Sequence, residues 1–105
     1  MQLMTQEIAE QLRNQFPMGS DMEQLVVAKF FDPCGSWSWF AMNMDEDGDY
    51  IWGIVRGFEI EMGSFSLSEL QEYKGRLGIG IERDLYFKPI PAKELWERLL
   101  KGEHI

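Results

Sequence analysis

Apolar residues recur at every fourth position in Met4, Ile8, Leu12 and Phe16, with Ala9 alongside. That spacing predicts one apolar stripe on a helix of about three turns. Thr5 is a candidate N-cap, and Pro17 and Gly19 are stop signals. From Glu23 to Phe31 the chain is rich in Val and Phe and reads as a strand, closed by the turn sequence Asp32-Pro33-Cys34-Gly35. Ser36 to Met44 reads as a second strand, with Trp37 and Trp39 on one face and Phe40 and Met42 on the other. So short a turn between them predicts antiparallel pairing. Asp45-Glu46-Asp47-Gly48-Asp49 is a turn, and Tyr50 to Arg56 resumes as a strand. Gly57 marks a bend. Beyond it, Phe58, Ile60 and Met62 alternate with Glu59 and Glu61, which predicts one buried face and one acidic, wet face.

The run Ser66-Leu67-Ser68-Glu69 is a capping box, in which the Ser66 hydroxyl accepts from the Glu69 amide and the Glu69 side chain returns to the Ser66 amide. Phe65 and Leu70 stand at the two staple positions. The box predicts a short helix from Leu67, ending before Gly75. Gly75, Gly78 and Gly80 mark a tightly turned connection. Glu82 to Lys88 then reads as a strand, with Leu85 and Phe87 on one face and Asp84, Tyr86 and Lys88 on the other. Proline ends it at Pro89 and Pro91, and Pro91 suits the first turn of a last helix. Ala92, Leu95, Trp96, Leu99 and Leu100 form the stripe of that helix, and Gly102 closes it. The expected fold is α+β: an antiparallel sheet of about five strands with an N-terminal, a short middle and a C-terminal helix, the helices packed on one face.

Composition sets outer bounds. The chain has 105 residues, 45% hydrophobic and 27% charged, which suits one domain over residues 1–105 and excludes a disordered or fibrous chain. No apolar run reaches the roughly 20 residues of a membrane span, and the N-terminal stretch lacks the charge and hydropathy of a signal peptide. The lone Cys34 has no internal disulfide partner, so a reducing, cytoplasmic setting is expected. The net charge is −8. Residues 32–63 carry most of it, with Arg56 alone against Asp32, Asp45, Glu46, Asp47, Asp49, Glu59 and Glu61. Such a balance argues against direct nucleic-acid binding, which needs clustered Lys and Arg.

Three segments carry a resemblance: VVAKFFDPCGSWSWF (26–40), DEDGDYIWGIVRGFEIEMGSFSLSEL (45–70) and GIERDLYFKPIP (80–91). In order and spacing the chain resembles a bacterial family of unknown function, number twenty-nine fifty-eight, whose members are of similar size and occur largely on plasmids, phages and integrative elements. The FFDP-G-SW and IERDLYFKP blocks are its most specific parts. The resemblance implies a mobile-element setting and supplies no catalytic motif to carry over.

Several chemistries are open to the residues themselves. Asp45, Asp47 and Asp49 have the first spacings of an EF-hand, but Tyr50 stands where its glycine is required and Arg56 where a bidentate Glu is required, so a solvated turn is the better reading. A Mg²⁺ nuclease site could use Glu82, Asp84 and Lys88 on one strand face, with Asp32 approaching from a turn. The same charges serve equally as an ion-pair network, and the spacing is not that of the common metal nucleases. His104 and Cys34 make neither a catalytic pair nor a zinc site, and Gly78-Ile79-Gly80 is no phosphate loop. Trp96 belongs to the core by its helical stripe. Trp37 and Trp39 are either both buried or both a binding patch.

The expectation that follows is a non-enzymatic inhibitor without cofactor or metal. It would act on a protein partner, a nucleic-acid-binding defence enzyme of the kind blocked by anti-CRISPR or anti-restriction proteins. Asp45, Glu46, Asp47, Asp49, Glu59 and Glu61 would form the acidic surface that mimics DNA, with Trp39 or Tyr50 as apolar anchors beside it. A single-stranded DNA nuclease using Glu82, Asp84 and Lys88, or an accessory role in plasmid maintenance, is the alternative.

Overall fold

A computed structural model describes residues 2–105. Helix α1 spans Gln6–Asn14 and begins where the stripe predicts, with the Thr5 hydroxyl accepting from the Ile8 amide at 3.2 Å. A short 3-10 turn, Phe16–Met18, carries Pro17 and ends at Gly19. The segment read as one strand from Glu23 to Phe31 is divided into β1 (Leu25–Val26) and β2 (Ala28–Phe31). The division arises because the two halves have different neighbours. Strand β2 pairs with β3 (Ser38–Met44), antiparallel as the short turn predicts, whereas β1 pairs with β7 (Ile90–Pro91) in a separate two-stranded ribbon.

Strands β4 (Tyr50–Arg56) and β5 (Ile60–Ser66) continue the meander. The main sheet has the order β5-β4-β3-β2-β6, antiparallel throughout, with β6 (Glu82–Arg83) beside β2. Helix α2 is Leu67–Glu72 and helix α3 is Ala92–Leu100. The fold is thus α+β, with a five-stranded main sheet, a two-stranded ribbon and the three expected helices.

The helices do not share one face. Ala9 and Leu12 of α1 and Leu67 and Leu70 of α2 pack with Phe30, Ala41, Met44 and Ile51. Ala92, Leu95 and Leu99 of α3 pack with Val26, Phe40, Met42 and Ile54. Phe40 and Ala41 are successive strand residues and point to opposite faces, so the sheet is covered on both sides. This corrects the one-face expectation, and the cause is visible in β3. Its residues 40–44 are all buried, which is what a central strand with two covered faces requires.

Strand β3 also breaks strict alternation. The pairing with β4 slips between Ala41 and Asn43, leaving Met42 as the extra residue of a β-bulge. The bulge turns Met44 to the α1 face, whereas Phe40 and Met42 face α3. Opposite it, Gly53 is required by close approach, since a Cβ there would lie 1.8 Å from the Phe40 carbonyl oxygen. Gln15 satisfies the bulge by donating its side-chain amide to the carbonyl oxygens of Met42 and Leu25.

Two further expectations are corrected. Phe58 does not join Ile60 and Met62 in the core. It lies in the β4–β5 turn and is 94% exposed, because the turn ends the alternation before β5 begins. The strand expected from Glu82 to Lys88 stops at Arg83. Asp84 then folds the chain back, its carboxylate accepting from the Tyr86 amide and its carbonyl from the Phe87 amide.

Candidate functional site

The turn between β2 and β3 is fixed by Asp32. Its carbonyl accepts from the Gly35 amide and its Oδ1 from the Cys34 amide, while its own amide donates to the Trp37 carbonyl. This turn delivers Trp37 to the start of β3, 36% exposed, with Trp39 two residues on and half-buried against the α1-side core. The two indoles are neighbours, with ring centroids 6.1 Å apart and planes tilted by 35°. They are neither both buried nor both free, since Trp39 forms the floor and Trp37 stands at the surface.

Register extends the surface across the sheet. Trp39 lies opposite Val55, and Val55 opposite Glu61, so the three form one row on the α1 face. Trp37 leans over Gly57, where a Cβ would meet the far edge of its ring at 2.5 Å. The Phe58 ring meets Trp37 edge-on, with centroids 5.4 Å apart. A glycine in the β4–β5 turn is therefore what lets the indole lie flat across it.

Trp37 borders two cavities. One, of about 320 Å³, is walled by Trp37, Trp39, Phe65, Leu70 and Tyr73, with Asp32, Ser66 and Glu69 as its polar groups. The other, of about 240 Å³, is walled by Trp37, Val55, Gly57 and Phe58, with Glu59 and Glu61 at its edge. Among the described residues no lysine, arginine or histidine lines either one. The Asp32 carboxylate is oriented by the Cys34 amide and, at 3.4 Å, by the Tyr73 hydroxyl. The Glu59, Glu61 and Glu69 carboxylates make no hydrogen bond or ion pair among the described residues. The arrangement is two adjoining apolar hollows with anionic mouths.

The six carboxylates expected to form one acidic surface are divided. Asp45, Glu46, Asp47 and Asp49 cluster at the β3–β4 turn, whereas Glu59 and Glu61 belong to the opposite end of β4. The register separates Glu61 from the Tyr50 end by five residues, about 17 Å along the strand. Two of the six are also committed to the fold. Asp45 Oδ1 accepts from the amides of Gly48, Asp49 and Tyr50. Asp49 accepts from the Ser68 amide at 2.8 Å and from the Ser66 hydroxyl at 3.0 Å, and its carbonyl accepts from the Leu67 amide. Asp49 thus caps α2 together with Ser66, whose hydroxyl accepts from the Glu69 amide as the capping box predicts, whereas the expected return bond from the Glu69 side chain to the Ser66 amide is not formed. Hydrogen bonds from Ser68 and Ser66 hold the Asp49 carboxyl below the ordinary aspartate value. Glu46 and Asp47 remain exposed at the turn, beside Tyr50, which is 64% exposed.

The alternative triad is not assembled on one face. Glu82 is in β6, Asp84 in the turn beyond it and Lys88 further along, outside any strand. Asp84 instead faces Lys29 at 3.8 Å across the sheet edge. Among the described residues, no group of three or more His, Cys, Asp or Glu side chains is placed to hold a metal ion. Lys29 and Arg56 both donate to the Ile105 carbonyl oxygen, at 2.9 and 3.0 Å. Burial lowers the pKa of each, although Asp84 acts in the opposite sense on Lys29. The chain end beside His104 is therefore docked, with the Ile105 side chain packed on the α3-side core. Cys34 is exposed in its turn.

Residue reasoning found Trp37, Trp39, Glu59 and Glu61 but missed that Gly57, Phe58, Glu69 and Tyr73 join them. Gly57 carried a signal, since a glycine at the end of a strand marks a bend or a place of close approach. Glu69 and Tyr73 carried none, because their approach depends on where α2 docks.

No helix among the described residues is long and apolar enough to cross a membrane. No curated protein and no solved structure matches the chain. The family model described as "Protein of unknown function (DUF2958)" matches residues 3–99, nearly the whole chain, and the protein belongs to that family.

Proposed function

We propose that the protein is a non-enzymatic inhibitor carried by a mobile genetic element, plasmid or phage, and directed at a host DNA-targeting defence nuclease of the anti-CRISPR or anti-restriction kind. It works in the bacterial cytoplasm by presenting fixed carboxylates to a cationic surface built for nucleic acid. The observation that carries the reading is the Trp37 end of the sheet. There an exposed indole, a second half-buried indole and an exposed phenylalanine are bordered by Asp32, Glu59, Glu61 and Glu69 and by no described basic residue. Apolar anchors inside an anionic rim suit a basic protein partner and repel DNA itself. The net charge of −8 adds long-range steering toward such a partner. The mobile-element setting rests on the family resemblance.

The test is capture of tagged protein from a lysate carrying defence nucleases, at low and high salt, followed by cleavage assays with the nuclease recovered. A nuclease bound at low salt, released at high salt and inhibited by the purified protein is the expected result. The double variant Glu59→Gln/Glu61→Gln should relieve inhibition, and Glu46→Gln/Asp47→Asn should relieve it less. Recovery of no nucleic-acid enzyme at either salt would sink the proposal.

A further inference from the structure

We infer that the two cavities flanking Trp37 receive two arginine side chains from one segment of the partner, with the indole between them. The inference rests on the reading above that the partner is a basic protein, and it names the chemistry of the contact. Charge complementarity selects the occupant. A phosphate or carboxylate entering either mouth meets only like charge, and a neutral apolar group would strip water from Asp32, Glu59, Glu61 and Glu69 without compensating them. A cation with a long apolar stem answers both demands. Its methylenes cover the Trp39, Phe65 and Leu70 walls in one cavity and Val55 and Phe58 in the other, and its head reaches the rim.

Guanidinium fits better than ammonium for two reasons. It is planar and weakly hydrated, so it stacks on an indole at lower desolvation cost, and its fork of donors pairs with a carboxylate through two bonds. Asp32 is set up for this role, because the Cys34 amide and the Tyr73 hydroxyl already hold it in one orientation. Glu59, Glu61 and Glu69 stay free to close over the second and first heads. Because Trp37 borders both cavities, two cations on one short segment reach them together, and the second contact becomes intramolecular.

The experiment titrates the protein with the peptide acetyl-Gly-Arg-Gly-Arg-Gly-amide, read by tryptophan fluorescence and by calorimetry. Its citrulline counterpart has nearly the same shape without charge, and its lysine counterpart has the charge without the plane. The arginine peptide is expected to bind at least tenfold tighter than the citrulline peptide, and tighter than the lysine peptide. Trp37→Ala should weaken it by about tenfold, whereas Glu23→Gln, exposed just before β1, should leave it unchanged. Equal binding of the citrulline or lysine peptide, or an unaffected Trp37→Ala, overturns the inference. Arginine-dependent binding by a protein that inhibits no nuclease upholds the inference and defeats the functional proposal. Inhibition that survives Trp37→Ala upholds the functional proposal and defeats the inference.

Discussion

Single residues decide the shape of the Trp37 surface. Gly57→Ala would drive a methyl into the outer edge of the Trp37 ring, and that ring is exposed enough to move. The expected result is a folded protein with little change in melting temperature but an altered tryptophan emission and near-ultraviolet dichroism. A drop in melting temperature with unchanged emission would show that Trp37 is held more firmly than its exposure implies. Asp49 makes a different kind of contribution, because its depressed pKa is a statement about stability. A carboxyl whose folded pKa lies below its unfolded value stabilises fully above the unfolded value, near 4. That stabilisation fades as the pH falls from there through the folded value. Asp49→Asn should therefore lower stability at neutral pH and flatten the loss as the pH falls below the unfolded aspartate value. Chemical denaturation at several pH values checks this, and parallel pH curves for both proteins would contradict it.

At the scale of elements, the crossover from α1 to β1 is tied down by buried amides as well as by Met22 on the α3-side core. Asn43, buried beside the bulge, donates to the Gly19 carbonyl at 2.8 Å and to Gln24 Oε1 at 3.0 Å. Gln24 in turn donates to the carbonyls of Gly19 and Asp21. Removing Asn43 leaves the buried Gln24 Oε1 without a donor, so Asn43→Ala should cost about 1–3 kcal/mol in equilibrium unfolding. Leu95→Ala, which empties a fully buried site under α3, should cost about 2–5 kcal/mol. These two losses have different signatures, since the cavity variant is expected to be rescued by a small apolar solute and the amide variant is not. Helix α1, α3 and the α2 cap were legible because each rests on local periodicity or local hydrogen bonding. The 82–88 strand misled because its alternation is genuine, but Asp84 offers the backbone a competing turn. The bulge at Met42 left no mark in a run of residues that are apolar on both faces.

For the molecule as a whole, the sequence showed the acidic surplus but not its distribution. Asp45 and Asp49 read as surface charge, yet hydrogen bonds draw both into the turn and the α2 cap. Glu61 acquires its setting only when β4 and β5 bring it to the Trp39 row, and Glu59 only when the turn between them folds against Trp37. Which face each helix covers was equally hidden, because an amphipathic stripe says that a helix docks and not where. The docked chain end offers a test at this scale. Deleting Gly102–Ile105 removes the acceptor shared by Lys29 and Arg56 and leaves two desolvated cations facing each other. A clear fall in melting temperature is expected, larger than that for deleting the exposed His104 side chain alone with His104→Ala.

The placement of α3 has a bearing on how the chain is made. One face of the sheet, with Phe40, Met42 and Ile54, is covered by residues 92–100, which leave the ribosome after every strand of the main sheet. The β2–β5 meander can form earlier, from hairpins local in sequence. During synthesis it therefore passes through a stage in which a finished sheet shows a bare apolar side to water or to a chaperone. A nascent chain stalled before Ala92 should be held by nascent-chain chaperones and cleaved readily by protease, and release of α3 should end both together.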